Sequence, residues 1–270
     1  RWTEDPSVEI LDLPGVYSLT PYTPEEEVTR RCLMEHPPDA VLNVVDGTNL
    51  ERNLYLTTQL LELNLPVVVV VNRIDVLDRR GQALDLDRLS ARLGCPAAAV
   101  SAARGTGIGA GMAAAVQAAR EGRCPTAPPL FSRQIEAALK EVSLLTERVL
   151  PAAGQRRAVV RLFEGDPQTE QTLGVGEALR QRIDRVASSC EVDQGQDRQV
   201  LIAAGRYAFT AETARRCLSP GLSVQPERTV TQRLDKLLLN RLLALPLLAA
   251  ALAGMFWFSI RVVGGWTARL

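Results

Sequence analysis

The pattern of apolar and polar positions divides the chain into three stretches. Val8-Glu9-Ile10-Leu11-Asp12 reads as a strand, and Ala40 to Asp46 and Pro66 to Asn72 are nearly unbroken apolar runs. Runs of that kind are expected of parallel strands covered on both faces. Ala97-Ala98-Ala99-Val100-Ser101 is a weaker fourth strand. Helical spacing fills the gaps at Pro24 to Met34, Asn49 to Leu63, Leu86 to Leu93 and Gly111 to Arg120, with Leu50, Leu54, Thr57 and Leu61 on one face. Strands alternating with helices predict an open, doubly wound, mostly parallel α/β sheet, whose ligand crevice lies at the carboxyl ends of the strands. Asp12, Asp46, Asn72 and Ser101 all fall at those ends.

Around Cys124 to Pro129 the period becomes helical throughout: Ile135, Leu139, Val142, Leu145 and Val149, then Leu179, Ile183 and Val186, then Val200 to Leu218. The expected division is a partial nucleotide-binding domain over 1–122, a small all-helical domain over 123–226, and a third segment over 227–270. In that last segment Thr229 to Arg241 reads as an amphipathic approach helix, and Leu242 to Ile260 is an uncharged run of about 19 residues, roughly 28 Å as a helix. Arg241 and Arg261 bracket it and Trp257 and Trp266 suit an interface, so a transmembrane helix in a lipid bilayer is expected over about 242–260. Arg228, Arg233, Lys236 and Arg241 before the run place residues 1 to about 240 on the cytoplasmic side.

Bulk composition narrows the function. With 31 basic and 31 acidic residues in 270, no nucleic-acid-binding surface is expected. Five scattered cysteines without a C-x-x-C pair argue for a reducing compartment and against a disulfide framework or structural zinc site. The single histidine, His36, sits before Pro37-Pro38 and reads as a surface residue.

The chemistry lies in three short motifs, met in the order expected of a GTP-binding domain. Asp12-Leu13-Pro14-Gly15 fits D-x-x-G, in which the aspartate holds the Mg²⁺ shell through water and the glycine amide meets the γ-phosphate. Asn72-Arg73-Ile74-Asp75 fits N-x-x-D; the Asp75 carboxylate can accept both N1–H and the exocyclic N2–H of guanine, a donor pair adenine lacks. Arg73 stands where lysine is usual, and a guanidinium stacks on a base at least as well. Ser101-Ala102 completes the set, with the Ala102 amide expected to donate to guanine O6. The glycine-rich run Gly105 to Gly111 lacks G-x-x-x-x-G-K-[ST] and reads as a lead into the next helix. No phosphate-binding loop precedes Asp12, so the chain reads as a piece of a longer protein that binds guanine nucleotide weakly at best and is inactive alone. Val16, where a water-orienting glutamine often stands, predicts slow intrinsic hydrolysis in the complete protein.

Asp12 to Leu19, Tyr22 to Glu26 and Val44 to Leu56 closely resemble bacterial ferrous iron transport protein B (FeoB), and the likeness continues in Leu162-Phe163-Glu164-Gly165-Asp166, Gly205 to Phe209 and Asp235 to Pro246. The resemblance implies a GTP/GDP- and Mg²⁺-binding cytoplasmic GTPase domain, a helical domain modulating nucleotide release, and a bacterial inner-membrane domain carrying Fe²⁺ inward. It also implies partners: guanine nucleotide, the remainder of the membrane domain, and small accessory iron-transport proteins. The competing readings are a membrane-tethered GTPase relic acting only as an interaction module, and an unrelated soluble GTPase. The expected span and the lack of a basic RNA-binding module disfavour the second.

Overall fold

A computed structural model of the chain describes residues 5–20, 23–122, 124, 128–150, 155–219 and 244–259. Two units separate, Arg1–Ser223 and Val224–Leu270.

The first unit holds the α/β layer. Three parallel strands, β1 (Val41–Asp46), β2 (Val67–Asn72) and β4 (Ala97–Ala99), lie in the order β1-β2-β4. Val41 pairs with Val67 and Asp46 with Asn72, so β1 and β2 end level. The short β4 runs from Ala97 opposite Val69 to Ala99 opposite Val71. Helices cover both faces, which is why β2 can be apolar at every position. Val67, Val69 and Val71 pack with Leu50 and Leu54 of α2 (Leu50–Leu61) and Leu89 and Leu93 of α4 (Leu86–Leu93). On the opposite face Val68 and Val70 meet Ala114, Ala115 and Ala118 of α5 (Ile108–Glu121). Helix α1 (Pro24–Glu35) starts on a capping box, with Thr23 accepting from the Glu26 amide while the Glu26 carboxylate accepts from the Thr23 amide.

The helices after the sheet have their own core. In α6 (Arg133–Thr146), α7 (Gln155–Phe163), α9 (Glu177–Gln194) and α10 (Arg198–Cys217), Leu139, Val142, Val160, Phe163, Ile183 and Ile202 close on one another, with α8 (Pro167–Thr172) beside them. The 20-residue α10 ties the two cores together. Its start buries Leu201 and Ile202 among helices, and its end buries Ala214 and Cys217 against the sheet domain. The chain after α10 pairs antiparallel, β5 (Leu218–Ser219) against β3 (Ala83–Leu84).

One expectation needs correction and another is only partly visible. Val8–Asp12 is not a strand: it pairs with no other segment among the described residues, and Ile10 and Leu11 are 53% and 69% exposed. A strand exists through its ladder, and this segment has no neighbour to supply one. Within the expected span the described residues form α11 (Ala244–Phe258). Among the described residues no helix is long and apolar enough to cross a membrane. Leu242, Leu243 and Ile260 of the expected span, and the whole approach helix Thr229–Arg241, lie outside the described residues.

No cysteine is bonded to another. Cys95, Cys190 and Cys217 are buried, while Cys32 and Cys124 are partly accessible. Burial pushes the Cys95 thiol up to about 12 and raises those of Cys190 and Cys217. Alkylation of the folded protein at pH 8 should therefore label Cys32 and Cys124 alone, and all five after unfolding. Mass spectrometry showing prompt labelling of Cys95 in the native state would contradict this packing.

Candidate nucleotide-binding site

The site is built where β2 and β4 end. Asn72, the last residue of β2, turns its Oδ1 toward two amides, accepting from Arg73 N at 2.8 Å and from Ala102 N at 3.0 Å. Its side chain thus joins the loop after β2 to the loop after β4. Three residues on, Asp75 opens α3 (Ile74–Arg79), a helix the apolar pattern does not announce. Asp75 Oδ1 accepts from Ser101 Oγ at 2.6 Å, and Oδ2 accepts from Arg79 Nη2 at 3.0 Å. The Ser101 hydroxyl and then the Arg79 and Arg104 charges outweigh desolvation and hold the Asp75 carboxyl below its usual range. Asp75 stays ionised at neutral pH, and each oxygen keeps a lone pair for a further donor.

The predicted residues meet in two hydrogen bonds across adjacent loops, Ser101 to Asp75 and Ala102 to Asn72. The loop after β4 is clamped by a bridge in which Ser101 N donates to Thr106 O at 3.0 Å and Thr106 N to Ser101 O at 3.2 Å. The Ala102 amide is engaged by Asn72 and would have to share or exchange that partner to reach guanine O6.

Arg73 brings in a residue that motif reading left without a role. Its guanidinium Nη1 lies 2.8 Å from Asp46 Oδ2, at the end of β1. Asp46 Oδ1 in turn accepts from Thr48 N at 2.8 Å and Thr48 Oγ1 at 2.7 Å, capping the turn Gly47–Asn49. The signal was present in Asp46-Gly47-Thr48, since Asp before a small residue and Thr is a local capping pattern.

Asp12 and Gly15 stand apart. Both are exposed, a Cβ added at Gly15 would meet nothing within 4 Å, and no hydrogen bond among the described residues links either to the loops after β2 and β4. The chain is anchored just beyond them instead. Leu19, 1% exposed, donates its amide to Gln59 Oε1 at 2.6 Å. A cavity of about 430 Å³ opens beside this anchor, lined by Tyr17, Arg52, Tyr55, Glu164, Arg206 and Tyr207, and none of Asn72, Asp75, Ser101 and Ala102 lines it. Among the described residues no group of three or more His, Cys, Asp or Glu could hold a metal ion.

A family profile described as ferrous iron transport protein B matches residues 2–115, and one for the FeoB cytosolic helical domain matches 131–219. A crystal structure of a mutant S. thermophilus NFeoB bound to GDP superposes with a TM-score of 0.76 at 36% identity, covering 80% of this chain and 83% of that one. The chain belongs to the FeoB family.

Another FeoB-family structure, mGMPPNP-bound NFeoB from S. thermophilus, superposes with a TM-score of 0.73 at 36% identity, covering 80% of this chain and 81% of that one. Among curated relatives, the Fe(2+) transport protein A/Fe(2+) transporter FeoB fusion protein of Porphyromonas gingivalis is 35% identical over 93% of this chain. The Fe(2+) transporter FeoB of Salmonella typhimurium is 32% identical over 97% of it. The chain spans only 31% and 33% of the length of those two FeoB relatives. The FeoB assignment supports the expected α/β GTPase-type fold and the helical domain that follows it.

Proposed function

We propose that this chain is the guanine-nucleotide-binding cytoplasmic part of a ferrous iron transporter, in which GTP binding and hydrolysis gate or drive Fe²⁺ import across the bacterial inner membrane. The observation that carries the reading is the Asn72–Asp75–Ser101–Ala102 cluster at the carboxyl ends of adjacent parallel strands. An ionised Asp75 presents two acceptor oxygens to the N1–H and N2–H edge of guanine, and adenine offers no such pair. Residues 1–122 form the nucleotide domain, 123–226 a helical spacer, and 227–270 the approach to the membrane.

The phosphate end is met by the segment Asp12–Gly15. Mg²⁺ takes few protein ligands and keeps phosphate and water for the rest, so the single exposed carboxylate of Asp12 fits a water-mediated contact. When bound, Mg²⁺ would neutralise charge on the phosphates. A phosphate-binding loop would come from a part of the protein outside this sequence. One feature favours a further strand there: β1 pairs only with β2 among the described residues. Accessory iron-transport partners are supported by the fusion named in the P. gingivalis relative.

The test is Asp75→Asn in the full-length protein. It should cost GDP about 10- to 100-fold in affinity, the worth of a charged hydrogen-bonding partner, and erase the preference for GDP over ADP. Competition binding that leaves the preference unchanged would show that the base lies elsewhere.

A further inference from the structure

We propose that Asp46 is a positioning residue for the nucleotide: it anchors the Arg73 guanidinium so that the Arg73 side chain lies across one face of the guanine base. The proposal rests on the base-site reading above and extends it from the edge of the base to its face.

The geometry begins with an uncommon backbone. Arg73 has φ +68°, a left-handed conformation that costs a residue with a Cβ about 1–2 kcal/mol. Its amide donates to Asn72 Oδ1, and its side chain turns back across the sheet end to Asp46. The strained turn and the ion pair together set where a planar cation stands, at the rim of the strand ends where the nucleotide lies.

Asp46 is built to hold that position. One carboxylate oxygen is occupied by the amide and hydroxyl of Thr48, which leaves Oδ2 for Arg73. Gly47 lets the two loops approach: a Cβ there would sit 3.0 Å from Asn72 O, Leu77 Cδ1 and Val71 Cγ1. A larger residue would push the Asp46 loop away from the Arg73 loop. Desolvation works against the Asp46 charge, but the Thr48 and Arg73 hydrogen bonds outweigh it, so its carboxyl lies below the usual range.

Stability does not account for this pair. The side chains of Arg73 and Asp46 are 50% and 31% exposed, and solvated pairs contribute little to folding. What the contact does supply is order. A free arginine stem samples many rotamers, and an anchored one presents its apolar length and flat head to a purine without losing that freedom on binding.

Three variants in the full-length protein test the idea through GDP affinity and dissociation rate. Asp46→Asn keeps an oxygen for the Thr48 cap and removes the charge facing Arg73. Asp46→Asn and Arg73→Ala should each weaken GDP about 3- to 10-fold through faster dissociation, and the double variant should be no worse than either. The melting temperature of Asp46→Asn should stay near wild type. Arg120→Ala removes an ion pair of similar length, to Asp5, and should leave affinity unchanged. Additive losses in the double variant, wild-type binding by Asp46→Asn, or an equal loss in Arg120→Ala would overturn the proposal. Asp75→Asn separates the two readings. Should guanine preference survive in Asp75→Asn, the base site itself is misplaced. Should it vanish while Asp46 and Arg73 show no coupling, only the anchoring role fails.

Discussion

Replacing Arg206 with alanine is expected to destabilise the folded protein by about 3–5 kcal/mol, the cost of stranding a buried charge. Arg206 on α10 is 4% exposed and Glu62, just past the end of α2, is 1% exposed. The guanidinium Nη2 donates to Glu62 Oε2 at 2.9 Å and Oε1 at 3.2 Å, and Nη1 lies 3.8 Å from Glu164 Oε1. Among the described residues no partner meets Arg206 Nε. For a unit of this size the loss corresponds to a Tm lower by roughly 6–20 °C. Glu62→Leu combined with Arg206→Met should recover most of it, because two apolar side chains replace two desolvated charges. A double variant as unstable as Arg206→Ala would mean that shape, not charge, governs the contact.

The same variant carries a pH signature. Burial pushes the Glu62 carboxyl above its ordinary value, and the Arg206 charge opposes that shift. With Arg206 removed the upward shift grows. A carboxyl whose folded pKa exceeds its unfolded value binds protons preferentially in the native state. Its stability is fully present below the unfolded pKa and is lost as pH rises through the folded pKa. The Arg206→Ala deficit should therefore shrink between pH 8 and pH 5. A deficit that is flat or grows on acidification would contradict a buried, unpaired Glu62.

That ion pair also marks what sequence reading could reach. The partners are 144 residues apart, and nothing local in Leu61-Glu62-Leu63 or Gly205-Arg206-Tyr207 says that they meet. β1 and β2 were legible because a fully covered parallel strand leaves a continuous apolar run. Val8–Asp12 carries a shorter apolar pattern interrupted by Glu9, and it stays unpaired among the described residues and mostly exposed. The Asn72–Asp75 and Ser101–Ala102 pairs were legible because each stands as a short motif just past the end of an apolar strand. The short α3 was not, since six residues complete too few turns to show a period. Asp46 was visible as a strand end, but its use depends on Gly47 letting two loops close to contact distance. Sequence reading found Asn72, Asp75, Ser101 and Ala102 as motif residues and missed the Asp46–Arg73 contact and the close approach at Gly47.

Gly107→Ala should be the other severe change, costing about 3 kcal/mol or more and weakening GDP along with it. Gly107 sits at φ +77°, which alone costs alanine about 1–2 kcal/mol. Steric contact adds more than the backbone angle does. A Cβ at this position would lie 2.2 Å from Ala99 O and 3.2 Å from Val100 Cα, both backbone atoms that cannot rotate away. Relief requires moving the end of β4 or the start of α5, where Gly111 N donates to Gly107 O at 3.1 Å. The loop between carries Ser101 and Ala102, so the shift opens the 2.6 Å contact to Asp75 and the 3.0 Å contact to Asn72. Two neighbouring glycines make the comparison. Gly105→Ala meets nothing within 4 Å at φ +67° and should cost only the backbone strain of about 1–2 kcal/mol. Gly109→Ala, inside α5 with nothing within 4 Å, should stabilise by about 0.5–1 kcal/mol through helix propensity. Urea denaturation of the three variants separates strain, clash and propensity. If Gly107→Ala fell within about 1 kcal/mol of Gly105→Ala, the backbone of β4 would have to be soft enough to yield, and the base cluster could not owe its geometry to that close approach.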